Sequence, residues 1–275
     1  MQPFRPPQDR NPMDPPHAVQ AATVRMTIAW RTEAGPLKVQ WLGHGRVQCL
    51  RDQGLVDRAG GRSVRQWVMA RVGSILFDRW SAVYDRRGFQ NATYRPVHDA
   101  VLAHLTEVQP ETVLDIGCGT GQLTRRLTER FPDAEVVGVD YSAGMLGEAS
   151  DRILGSANLV RADALYLPFR SASADVAVCT ESFHWYRDQR RALAALASIL
   201  RPGGQLVIAS IAAVTDVGES AVRRWSSAGG QPVRALTPRR LRGLLIGAGF
   251  EVVHQRRVPR IGFAPWPVLT DARLP

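Results

Sequence analysis

From residue 112 onward the apolar positions form short blocks separated by helical stripes. Val113-Leu114 with Ile116, Val136-Val137 with Val139, Leu159-Val160, Val176 to Cys179 and Leu206 to Ala209 are each brief, aliphatic and largely β-branched. Such runs, bounded by glycine, proline or aspartate, read as buried strands. Between them Leu123, Leu127 and Phe131 recur at helical spacing, Ala143–Ala149 opens a second helix, and 190–200 reads as a third. Strand alternating with helix predicts a mostly parallel sheet covered by helices on both faces.

The flanks are less regular. Ile75, Leu76, Phe77, Trp80, Val83 and Tyr84 make an amphipathic stripe, and a helix is expected over 96–108 with Pro110 ending it. Residues 212–235 are poorly periodic, with no element expected there. Thr237-Pro238 caps a further helix that ends at Gly247-Ala248-Gly249. Residues 251–254 and 267–271 read as two last strands, close enough in sequence to pair as an antiparallel hairpin. Residues 1–68 show many prolines, short patches such as Met26–Trp30, and no sustained period of 2 or 3.6. We read them as a disordered extension or an upstream stretch before a start at Met69, with a lid or dimerisation element as the alternative, and 69–275 as the domain.

The chemistry concentrates where the first of these strands meets its helix, in D-I-G-C-G-T-G (115–121). Glycines at alternate positions 117, 119 and 121 supply positive φ in a tight turn and let a ligand lie against the backbone. The free N–H groups of the following helix can then face polar ligand atoms. A dinucleotide fingerprint G-x-G-x-x-G is excluded because Gln122 occupies its third glycine position, and the lysine of a phosphate-cradling loop is missing. Asp140 ends the next strand 19 residues beyond Gly121. An acid at that point of a βαβ unit sits beside the first loop and can accept both ribose hydroxyls.

Taken as D-x-G-x-G-x-G with the spaced acid, the segment resembles the first motif of the class I S-adenosylmethionine (SAM)-dependent methyltransferases that act on small molecules, the ubiquinone–menaquinone-like group. Ala162-Asp163-Ala164 with Leu167-Pro168-Phe169, the His184-Trp185 pair and Leu200-Arg201-Pro202-Gly203-Gly204 follow in the same order. The resemblance implies a Rossmann-like seven-stranded sheet, mostly parallel, with an antiparallel strand 7 between strands 5 and 6. It implies SAM as methyl donor, held by Asp115, Gly117, Cys118, Gly119, Gly121, Asp140, Tyr141, Met145, Asp163, Ala164 and Glu181. Asp140 would take the ribose, Tyr141 and Met145 would flank the adenine, and Asp163 with the Ala164 N–H would meet its edge. For Tyr141 and Met145 the alternative is helix-start packing, and for Asp163 a turn cap. His184 and Tyr84 are the candidate catalytic residues, each with core packing as its alternative. No metal is expected.

Net charge of +10 brings a nucleic-acid partner into view. Nearly all the basic residues are arginine, Lys38 being the sole lysine, and residues 1–68 hold ten basic and five acidic side chains, half of the excess. The N/D-P-P-Y segment and paired catalytic cysteines of nucleic-acid methyltransferases do not occur. A small-molecule acceptor is therefore expected, with a tRNA or rRNA methyltransferase and a non-catalytic SAM-binding module as alternatives. Three scattered cysteines, no secretory leader and no apolar run of membrane-spanning length suit a reducing cytoplasm.

Overall fold

The computed structural model describes residues 27–32, 35–42, 46–51, 93–105, 108–228, 232–260 and 266–275. Three strands, β1 (Thr27–Thr32), β2 (Gly35–Leu42) and β3 (Arg46–Arg51), form an antiparallel meander. Their register sets Ile28 opposite Val39 and Val39 opposite Cys49. Leu37, Val39 and Trp41 alternate along β2, a period of 2 too short to stand out in the sequence. Regular strands thus occur inside a span whose sequence predicts none.

The larger sheet contains β4 (Thr112–Ile116), β5 (Glu135–Asp140), β6 (Asn158–Arg161), β7 (Ala174–Thr180), β8 (Leu200–Ile211), β9 (Glu251–Arg257) and β10 (Pro267–Arg273). Its order is β6-β5-β4-β7-β8-β10-β9. The β4, β5, β6, β7 and β8 pairings are parallel, and β10 runs antiparallel to both β8 and β9. This is the expected seven-stranded methyltransferase sheet, with the last strand inserted between the fifth and sixth.

Strand alternation divides the core. Val113, Val136, Val176, Val178 and Val207 pack on one face with α1 (Arg95–His104) and α2 (Gln122–Arg130), through Val97, Val101, Leu123 and Leu127. Leu114, Val137, Ala177, Leu206 and Ile208 point to the other, against α4 (Gln189–Ile199) and α6 (Pro238–Gly247), through Leu193, Leu196, Leu241 and Leu245. Each strand is apolar at successive positions because both its faces are covered. Between α2 and α4 in sequence, α3 (Ala143–Ile153) buries Met145, Leu146, Ala149 and Ile153.

Two local expectations change. Residues 212–235 contain a regular helix, α5 (Asp216–Ala228), whose Val217 and Trp225 are about four-fifths exposed. Val217, Ala221 and Trp225 do recur at helical spacing, but they are too few, among glycine, serine and arginine, to make the wide apolar stripe of a core-facing helix. The Pro202-Gly203-Gly204 segment lies inside β8 rather than before it. Gly203 has φ +79°, and a Cβ on Gly204 would sit 2.7 Å from the Arg201 carbonyl oxygen, so the tight reversal needs both glycines.

Candidate active site

All the parallel strands end at one edge of the sheet, and the glycine turn lies there between β4 and α2. Gly117, Gly119 and Gly121 have φ of +76°, +55° and +75°. Two are also sterically required. A Cβ on Gly117 would lie 2.4 Å from Ser182 Cβ, and one on Gly121 2.9 Å from Ala149 Cβ. Gly119 differs: a Cβ there would meet nothing within 4 Å. Of the three glycines of the turn, the middle one is open.

Hydrogen bonds fasten the turn to β5. Gly117 and Cys118 both donate their N–H groups to the Val139 carbonyl, at 2.7 and 3.0 Å. Gly119 N–H donates to Asp140 Oδ2 at 2.9 Å, and Ser142 N–H to Asp140 Oδ1 at 2.8 Å. A carboxylate accepts through two oxygens with several lone pairs, the chemistry that ribose hydroxyls require. Beneath it, Thr124 Oγ1 donates to Asp115 Oδ2 at 2.6 Å. Asp115 is fully enclosed, and burial, with the Asp140 charge adding, pushes its pKa up to about 7. The Cys118 thiol is also buried, close to where a Cβ on Gly138 would stand, and its pKa rises for the same reason.

The adenine-side residues are spread more widely. Tyr141 is exposed, whereas Met145 is buried and donates its N–H to the N-cap hydroxyl of Ser142, the helix-start packing that the sequence left open. Asp163 is a turn cap: Oδ1 accepts the Leu165 N–H at 3.0 Å. Its Oδ2 pairs with Arg187 at 2.8 Å. Ala164 is half-buried beside it. Arg191 stacks over the Tyr166 ring at 4.2 Å and donates to the Leu165 carbonyl. Arg187 and Arg191 were missed in the sequence because nothing in their spacing links them to the Asp163 loop.

At the carboxyl end of β7, Glu181 adopts φ +53° while its N–H donates to the Ala209 carbonyl. Its Oε2 accepts from Arg260 Nη1 at 3.0 Å, in a pair whose side chains are 7% and 1% exposed. His184 is equally enclosed, with Nδ1 3.0 Å from Ser210 Oγ. Burial, helped by the Arg260 charge, lowers its pKa to about 3. Near neutral pH this imidazole is therefore uncharged and a poor base, which weighs against the proton-taking role considered from sequence. Trp185 tilts against it at 5.0 Å. Next to them, Ser182 Oγ donates to the Ile116 carbonyl and lies within 3.2 Å of both Cys179 Sγ and Tyr186 Oη. Arg260, Ser210 and Tyr186 carry no sequence signal, since long-range folding alone brings them here. Tyr84 lies outside the described residues.

Residues 113–204 match the family model for a methyltransferase domain. The chain is 34% identical over 144 residues to an uncharacterized methyltransferase of Geobacillus kaustophilus, covering 50% of this chain and 66% of that one. It is 38% identical over 120 residues to the trans-aconitate 2-methyltransferase of Deinococcus radiodurans, covering 44% and 45%. It thus spans less than two thirds of the length of these curated relatives. Among solved structures, the N-methyltransferase NodS of Bradyrhizobium japonicum, in complex with S-adenosyl-L-homocysteine (SAH), superposes with a TM-score of 0.61 at 20% identity, covering 74% and 98%. Fold, motif order and sequence agree on a methyltransferase domain over residues 113–204, set in a sheet of the class I SAM-dependent methyltransferase type.

Proposed function

We propose that the chain is an active methyltransferase that moves a methyl group from SAM to a small-molecule acceptor. The observation that carries this reading is the bond from Gly119 N–H to Asp140 Oδ2, which places a carboxylate beside the open middle of the glycine turn. That cradle fits the ribose and amino-acid parts of SAM. When bound, SAM supplies a methyl group already activated on a sulfonium.

The chain's own residues bind and orient. Asp140 would accept the ribose hydroxyls, and Gly119 would admit the ligand against the backbone. Asp115 and Thr124 hold the turn from below. Tyr141, Asp163 and the Ala164 N–H would border the adenine, with Arg187 fixing the Asp163 carboxylate. On the acceptor side, His184 and Trp185 form a wall braced by Ser210. Alignment of the reacting atoms and exclusion of water would then supply most of the rate. The relatives named for trans-aconitate support a small organic acceptor. Cys118 and Cys179 are buried free thiols, as suits a reducing cytoplasm. We assign the domain to 69–275 and read 1–68 as an extension.

Calorimetry on the full chain tests the reading. SAM and SAH should each bind one per chain, and SAH release should follow when an acceptor is supplied. Folded protein that binds neither compound would refute it, and tight binding without turnover on any acceptor would make the chain a SAM-binding module.

A further inference from the structure

The Glu181–Arg260 pair carries more than a structural contact requires. Glu181 is a non-glycine residue in the left-handed region, a strained conformation that concentrates at functional sites. Its neighbour Ser182 packs against Gly117, so Glu181 stands one residue from the glycine turn. Arg260 reaches it from three residues beyond the end of β9. The pairing occupies only one carboxylate oxygen. Oε1 is fully enclosed and has no hydrogen-bond partner among the described residues, as is also true of the adjacent Thr180 Oγ1. An orphaned buried carboxylate oxygen is costly unless a ligand supplies the missing donor.

We propose that Glu181 is the general base of this site, with Oε1 receiving the proton of a hydroxyl or N–H acceptor while Arg260 holds Oε2. The proposal rests on the methyltransferase reading above. In the step, the acceptor's lone pair forms the new bond to the methyl carbon. The S–CH3 bond breaks and returns its electron pair to sulfur, and the acceptor's proton passes to Oε1, later to be lost to water. The charged and titratable groups facing Glu181 are Arg260 and, beyond it, His184. Burial raises the Glu181 carboxyl above the usual carboxylate range and Arg260 opposes that rise, so the group is a better base than a solvated carboxylate. His184 is too weakly basic to compete.

The proposal also selects a substrate class. A phenol, enol or amine has a proton to donate to Oε1. A carboxylate has none, and its charge would face that of Glu181.

The test uses the full chain saturated with SAH and titrated with 4-nitrophenol, with binding read by calorimetry and proton position by phenolate absorbance. The 4-nitrophenol should bind, and Glu181→Gln should weaken it at least tenfold and by clearly more than any change in SAH affinity. Should Glu181→Gln misfold around an unpaired Arg260, the double variant Glu181→Gln/Arg260→Met removes both charges and should show the same loss. Arg260→Lys should retain 4-nitrophenol binding within a few fold. Failure of the SAH complex to bind 4-nitrophenol, or equal binding by the variants, overturns the proposal. So does tighter binding of trans-aconitate that improves in Glu181→Gln, which would make Arg260 an anion site. Failure of wild-type protein to bind SAH would instead refute the methyltransferase reading.

Discussion

Gly119 donates its backbone N–H to Asp140 Oδ2 across 2.9 Å, so the glycine turn and the carboxyl end of β5 act as one unit. The carboxylate also accepts the N–H of Ser142 at the start of α3. One side chain therefore sets the turn, the next helix and the candidate ribose position together.

Replacing Asp140 should thus reduce cofactor affinity more than it reduces stability. Loss of hydrogen bonds to a charged acceptor costs roughly 1.5–3 kcal/mol, so Asp140→Ala should weaken SAH binding by about tenfold or more. Asp140→Asn keeps one acceptor oxygen and should fall between. Calorimetry on the folded variants checks both; unaltered affinity in Asp140→Ala would remove this residue from the site.

The glycines should separate packing from ligand access. Gly117→Ala brings a Cβ into Ser182 at φ +76° and should lower the thermal midpoint clearly. Gly119→Ala meets no protein atom and bears only the left-handed strain, about 1 kcal/mol. It should unfold near the wild-type temperature yet lose SAH affinity several-fold. Thermal melts with and without SAH distinguish the two.

Asp115 should make stability fall as pH rises. Its pKa is near 7 in the folded chain, against 3.8 as the ordinary value. Between these pH values the folded state holds a proton that the unfolded chain has released, so unfolding becomes easier from about pH 4 to pH 7. Each unit of difference is worth about 1.4 kcal/mol at most. Asp115→Asn should remove this slope, gaining over wild type at pH 8 and matching it near pH 4. Urea unfolding at both pH values is the check; parallel curves would mean that Asp115 is ionised in the fold.

Removal of residues 1–68 should leave SAH affinity unchanged. The motif residues and both faces of the larger core lie beyond Met69. A chain starting there should keep its thermal midpoint. Loss of solubility or of SAH binding would make the earlier segment part of the domain.

The sequence by itself determined the strands of the larger sheet, the glycine turn and Asp140, because each depends on neighbours a few residues away. Val113 beside Leu114, and Val176 beside Ala177, already encode a sheet buried on both faces. The resemblance to the methyltransferase family, rather than the residues alone, placed β10 between β8 and β9. Tertiary structure decided the rest. α5 escaped notice because its few apolar positions are scattered among glycine, serine and arginine, and β1–β3 because their alternation is short. His184 looked like a base until folding enclosed it and bonded it to Ser210. Arg260 meets Glu181 from 79 residues away, and Arg187 meets Asp163 from beyond β7. Proton affinity and ion pairing depend on what surrounds a group in space, and chain order sets those surroundings only through the completed fold.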